Sequence, residues 1–229
     1  MDFLLATSTV QDGNMSPDWG PEAGVRENRR KFLTKHGFAP EQCVYMDLQH
    51  GSESAVVGEK EKGTILKVDA LMTMAPGVAL FLMTADCFPV AYHDPVKNAV
   101  ALAHLGWKST DKNLAAQVVE RMTQEFHSDP GDILVFIGPG IDKDSYLVER
   151  PGQKDDPKWR PFLDEAMGST KIDLVGYNEN ALIDAGVPRE HITVSPENTV
   201  SSPEYFSHRR SGKTGESEGR FATVAALTR

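Results

Sequence analysis

The chain has 229 residues, 40% of them hydrophobic and 25% charged, enough to bury a sizeable core and unlike a disordered polypeptide. A formal net charge of −9 disfavours nucleic-acid backbones and anionic membranes as partners. The longest apolar run, Val78 to Ala85, is too short to span a bilayer, and Met1-Asp2-Phe3-Leu4-Leu5 has no basic or long apolar leader. With two cysteines there is no disulfide framework, so reduced thiols in a cytoplasmic protein are expected.

In chain order, Phe3 to Thr9 reads as a strand and Gln11 to Pro21 as a polar loop. Glu22 to His36 has helical spacing and stops at Gly37. Its Arg29-Arg30-Lys31 reads as a charged outer face. Gln42 to Leu48 alternates like a strand, with Cys43 in the core, and delivers Gln49 and His50 to its end. Val78 to Thr84 and Ala99 to Ala103 are near-continuous apolar runs, as in strands covered on both faces. Ser109 and Thr110 read as caps of a helix over Asp111 to Phe126, followed by a strand at Ile133 to Ile137 and the turn Gly138-Pro139-Gly140. Glu149 to Arg160, charged and rich in Pro and Gly, reads as a long exposed loop or insertion. A helix over Tyr177 to Ala185 and strands at His191 to Ser195 and Phe221 to Leu227 complete the chain. The pattern implies an α/β fold, mixed sheets sandwiched between helices, in a single domain over residues 1–229.

Three residues stand where strand-like runs give way to turns: His50, Cys87 and His104. One thiol and two imidazoles suit Zn²⁺, with a fourth position left open for water or substrate. Their spacing is not that of a zinc finger, and a buried cysteine beside two ordinary histidines gives the same pattern. Without metal, Cys87 and His104 could form a nucleophilic pair next to Asp86, although no oxyanion-hole motif accompanies them. Copper oxidation is disfavoured, because seven histidines without a His-x-His pair fall short of a multicopper centre. A second cluster, Phe206-Ser207-His208-Arg209-Arg210 with Lys213 and Arg220, places paired guanidiniums in a Ser/Gly-rich loop suited to phosphate or carboxylate, or simply a solvated basic turn.

Taken together, the segments resemble the laccase-like multicopper polyphenol oxidoreductase family, whose members are regarded as purine nucleoside enzymes and include peptidoglycan editing factor-like proteins. That family carries Gln-x-His-Gly, Thr-Ala-Asp-Cys-x-Pro, His-Ala-Gly-Trp-Arg-Gly, Gly-Pro-x-Ile and Phe-Ser-x-Arg-Arg. Here these read Gln49-His50-Gly51, Thr84-Ala85-Asp86-Cys87-Phe88-Pro89, His104-Leu105-Gly106-Trp107-Lys108-Ser109, Gly138-Pro139-Gly140-Ile141 and Phe206-Ser207-His208-Arg209-Arg210. Asp12-Gly13-Asn14-Met15-Ser16 and Glu27-Asn28-Arg29 add to the match. The resemblance implies a zinc site at His50, Cys87 and His104, and phosphorolysis of adenosine, inosine or methylthioadenosine, with adenosine deamination in some members. It implies Gln49, Lys108, Arg209 and Arg210 as substrate or phosphate ligands and Asp86 or Glu53 as proton shuttle. A divergent member that binds nucleosides without turnover is the non-enzymatic alternative. The chain departs from the pattern at Lys108 and Ser109, where Arg and Gly are usual, and an Arg-to-Lys change at a bidentate anion site is not conservative. It also lacks the Gln-His spacer and has Glu197-Asn198-Thr199 where many members have Cys-Thr.

Overall fold

A computed structural model describes residues 2–228. Its strands are β1 (Phe3–Thr7), β2 (Cys43–Met46), β3 (Ser54–Val56), β4 (Ile65–Leu66), β5 (Ala70–Thr73), β6 (Ala79–Thr84), β7 (Phe88–Asp94), β8 (Ala99–Leu105), β9 (Leu134–Ile137), β10 (Leu147–Val148), β11 (Leu163–Ala166), β12 (Ser169–Ile172), β13 (Ile192–Val194) and β14 (Phe221–Leu227). The α-helices are α1 (Glu22–Lys35), α2 (Trp107–Asp111), α3 (Leu114–Phe126), α4 (Leu174–Asp184) and α5 (His208–Thr214). One sheet runs β1-β14-β6-β2-β4, a second β13-β9-β7-β8-β5-β3, and a small third β10-β12-β11.

Strand parity explains the layering. Alternate side chains of a strand point to opposite faces, so a continuous apolar strand must be covered twice. In β6, Leu80 and Leu82 pack toward the second sheet while Ala79 and Phe81 pack toward α1. In β8, Val100 and Leu102 face the first sheet while Ala101, Ala103 and Leu105 join the core under α3 and α4. The order of layers is therefore α1, the five-stranded sheet, the six-stranded sheet, then α3 and α4. This is the α/β sandwich of mixed sheets between helices that the sequence implied. Among the described residues no helix is long and apolar enough to cross a membrane.

Several local expectations change. The first strand ends at Thr7, and the strand expected over Gln42 to Leu48 is confined to Cys43–Met46. Ser109 and Thr110 are not caps but lie inside α2, where the Ser109 hydroxyl accepts from the Gly106 amide at 2.9 Å. The expected long helix is broken by Asn113, whose left-handed backbone (φ 61°) separates α2 from α3. The fourth helix starts at Leu174, earlier than expected, capped by Asp173 accepting from the Gly176 amide at 2.8 Å. The segment expected to be an exposed loop at Glu149 to Arg160 instead carries two short 3-10 turns and buries Trp159 completely. Residues 208–214, expected in a loop, are helical. Arg29 is no outer-face residue either: its Nε donates to the Met15 carbonyl at 2.8 Å and its guanidinium lies over the rings of Tyr45 and Phe81.

Candidate active site

Each expected ligand lies at or near a strand end, and two of them, His50 and Cys87, lie where the chain passes between the sheets. His50 follows β2 of the five-stranded sheet, Cys87 lies on the crossing from β6 to β7, and His104 is near the end of β8 in the six-stranded sheet. What ties them together is Asp69, just before β5 and fully buried. Its carboxylate accepts the backbone amides of His50 (3.0 Å), Gly51 (2.8 Å) and Gln49 (3.3 Å), and lies 3.0 Å from His104 Nδ1. The turn that carries His50, itself left-handed at φ 53°, is thus folded around the same carboxylate that orients His104. Burial alone would raise the Asp69 pKa, but hydrogen bonds from His104 and the Gly51 and His50 amides hold it below the ordinary range.

His104 is buried, which works against its charged form, yet the Cys87 sulfur and the Asp69 carboxylate outweigh that and push its pKa up to about 9. His50 is shifted down, by burial first and then by neighbouring His104. The two imidazoles meet edge to face at 5.0 Å. Gly106 lets the backbone pass close by: a Cβ there would stand 2.7 Å from Cys87 Sγ and 3.5 Å from His104 Nε2. The other thiol, Cys43, is buried in the core, and burial raises its pKa to about 12.

The donors suit zinc in kind. Asp69 occupies Nδ1 of His104 and leaves Nε2 free, the arrangement in which a carboxylate fixes the tautomer of a metal-binding histidine. Among the described residues, no group of three or more His, Cys, Asp or Glu side chains is placed so that it could hold a metal ion as the side chains stand.

His50, Cys87 and His104 line a cavity of about 370 Å³ with mixed polar and apolar walls, bounded also by Asp18, Trp19, Asp47 and Arg220. On the other side of Cys87 lies a smaller, mostly apolar cavity of about 220 Å³, walled by Trp107, Ile141, Tyr146, Leu174 and Arg209. Ala85, Cys87 and His208 line both. Larger cavities exist, about 650 Å³ beside Arg29 and Tyr45 and about 420 Å³ between α3 and α4, but neither contains any of the three ligand residues.

The remaining expected site residues divide. Arg209 borders the apolar cavity, its guanidinium over the Tyr146 ring and donating to the Leu147 carbonyl at 2.9 Å. Arg210, expected to bind anions beside it, is turned away. Its guanidinium is committed to the carbonyls of Thr199, Ser202 and Tyr205 and to Glu216. Asp86 borders the apolar cavity but offers no spare carboxylate oxygen, since Oδ1 accepts from Thr199 at 2.7 Å and Oδ2 from the Arg209 amide at 2.6 Å. It is an anchor, with left-handed backbone (φ 78°), rather than a free proton shuttle. The Gln49 side chain bonds its own strand end at the Asp47 carbonyl, and Lys108 lies over the Trp107 ring; neither lines the two cavities. Glu53 is exposed and also lines neither. Asp69 was missed from sequence; its one signal is an acid placed inside the apolar run Val68-Asp69-Ala70-Leu71-Met72. His208 with Glu218 was missed too, because the partners lie ten residues apart across a helix and a loop.

A family model described as multi-copper polyphenol oxidoreductase laccase matches residues 7–228. The chain is 33% identical over 209 residues to purine nucleoside phosphorylase YlmD of Bacillus subtilis, covering 85% of this chain and 75% of that protein. It is 34% identical over 209 residues to the Geobacillus stearothermophilus protein of the same name, covering 83% and 76% respectively. The crystal structure of YlmD from Geobacillus stearothermophilus superposes with a TM-score of 0.87 at 29% identity, over 98% of this chain and 91% of that one. A Bacillus licheniformis hypothetical protein, YfiH, gives 0.88 at 27% identity, over 99% and 93%.

Proposed function

Because the chain belongs to the multi-copper polyphenol oxidoreductase laccase family, we propose that it is a purine nucleoside phosphorylase, using phosphate to cleave the bond between base and ribose. The carrying observation is a cleft in which His50, Cys87 and His104 line one cavity and Cys87 also borders a second, mostly apolar one. Relatives named purine nucleoside phosphorylase at 33% and 34% identity support the same reading. His50, Cys87 and His104 would hold zinc, which when bound supplies a Lewis acid toward a substrate atom. One thiolate and two imidazoles are too few donors for a multicopper oxidase, whatever the family's description. The carboxylates of Asp18 and Asp47 suit hydroxyl groups of a sugar, and the planar walls of Trp107 and Tyr146 suit a base. Arg209 is the guanidinium of the Arg209-Arg210 pair left to meet an anion.

Adenosine deamination is the accompanying activity of this reading. It requires a carboxylate free to carry protons; Asp86 and Glu53 do not supply one, which leaves Asp18 and Asp47 as the carboxylates lining the cleft with His50, Cys87 and His104. A metal-free hydrolase is the second reading, favoured by one observation: Cys87, His104 and Asp69 stand in the order of nucleophile, base and orienting carboxylate.

Purified protein incubated with adenosine, inosine or methylthioadenosine, with and without phosphate, tests the proposal by mass spectrometry. The expected result is phosphate-dependent release of free base and stoichiometric zinc, both lost in His50→Ala. Inosine from adenosine without phosphate would mark deamination instead. Equal behaviour of wild type and variant on every substrate would sink the nucleoside reading, and alkylation of Cys87 with no metal present would turn attention to the hydrolase.

A further inference from the structure

A nucleoside is a flat, mostly apolar base joined to a hydroxyl-rich sugar by one C–N bond. The cleft offers two adjoining spaces, one of mixed lining that holds Asp18, Asp47 and Arg220 and one mostly apolar, and the seam between them is lined by three residues: Ala85, Cys87 and His208. A nucleoside bound across both cavities has its scissile bond over this seam, whichever cavity takes the base. Ala85 has no chemistry to offer, and Cys87 belongs to the donor set already assigned. His208 is the remaining proton carrier.

Its surroundings fit that task. His208 begins α5, with its ring exposed at the cleft and its Nδ1 2.5 Å from Glu218 Oε1. The same Glu218 oxygen lies 3.1 Å from Arg220, whose guanidinium sits 5.0 Å from the centre of the Trp19 ring in the larger of the two cavities. Burial works to raise the Glu218 pKa, but His208 and Arg220 lower it below the ordinary range. An ionised Glu218 accepts the Nδ1 proton and leaves Nε2 as the nitrogen free to face a ligand. The competing acids are weaker candidates: both Asp86 oxygens are occupied, and the Tyr146 phenol is pushed up to about 12 by burial, far from the pH of operation. The charged and titratable groups around His208 are Glu218, Arg220 and Arg209, and across the larger cavity Asp18, Asp47, His50 and His104.

Resting on the phosphorylase reading, we propose that His208 is the general acid that protonates the departing purine, with Glu218 as its positioning residue. In this step a phosphate oxygen bonds to C1′ as the C1′–N9 bond breaks. The electron pair of that bond stays with the purine, and the proton on His208 Nε2 passes to purine N7. Hydrogen phosphate loses its proton on becoming the sugar phosphate dianion, and that proton restores His208.

The test compares two substrates, inosine and 7-methylinosine. The second already carries an alkyl group and a positive charge at N7, so its base leaves without a proton. For His208→Gln, kcat on inosine should fall by about 100-fold and kcat on 7-methylinosine by less than about 3-fold. Glu218→Gln should show the same selectivity at roughly 10-fold. Equal losses on both substrates, or none on either, would overturn the assignment and leave His208 a structural or spectator residue. If the wild type releases base from neither substrate in the presence of phosphate, the phosphorylase reading itself falls and takes the assignment with it.

Discussion

Asp69 bears on all three expected ligands or their surroundings: it holds the turn of His50, one ring nitrogen of His104 and, through His104, the group beside Cys87. An Asp69→Asn exchange keeps the size but leaves one acceptor oxygen for donors that now share two, and brings an amide N–H up against backbone amides. Leaving buried donors unsatisfied should cost about 3 kcal/mol of stability, read by urea denaturation. Zinc affinity should weaken by roughly 10- to 100-fold, the usual effect of removing such an outer carboxylate, read by competition with a chelator. Unchanged stability and affinity would show that the carboxylate has no such role. The ligand-type residues were legible in sequence because thiol and imidazole at strand ends are conspicuous. Asp69 was not, since its partners lie 18 to 35 residues away and nothing local marks it. Arg209 and Arg210 make the same point in reverse. They are adjacent in sequence but project from different sides of α5, and only one reaches the cleft.

At the scale of elements, long continuous apolar strands such as β6 and β8 declared themselves, because a strand covered on both faces has no polar alternation to confuse it. Strands of two to four residues with half-exposed side chains, such as β3, β4 and β10, carry too few residues to show a period. The segment over residues 149–160 misled for a different reason: its charge and proline content describe its surface, while one residue decides its position. The Trp159 indole stacks on Tyr177 at 4.1 Å and donates from Nε1 to Asp111 at 2.8 Å, so the segment is fastened over the contact of α2 with α4. Trp159→Ala should therefore destabilise the protein by about 3–5 kcal/mol, measured by thermal or denaturant unfolding. A loss under about 1 kcal/mol would restore the description of this stretch as a surface loop.

On the scale of the whole molecule, the sheets and the site are one construction: the chain crosses between the facing sheets at Asp86-Cys87, and the histidines approach from either sheet. The alternation of strand and helix signals made the layered class readable, but not which strand neighbours which. Nothing in the sequence announces that β1 pairs antiparallel with β14, Phe3 opposite Leu227. That pairing brings the two ends of the described chain together, with the Thr228 amide donating to the Asp2 carbonyl at 2.9 Å. A circular permutant joined there by a short linker and opened at the β11–β12 turn, where Met167 is fully exposed, should fold and keep its activity. The checks are near-UV circular dichroism and base release from nucleoside; a permutant that fails both would contradict the adjacency of the ends.

Strand β14 lies between β1 and β6, the outermost strand and an inner one of the same sheet. During synthesis, β1 has no neighbour in its sheet until residues 221–227 follow it. At ordinary elongation rates that interval is on the order of ten seconds or more. Throughout it, β1 and one edge of β6 lack the strand that pairs them in the finished sheet and are open to pairing with a second nascent chain. Until its last strand closes the sheet, mispairing of strand edges is the hazard that this topology carries.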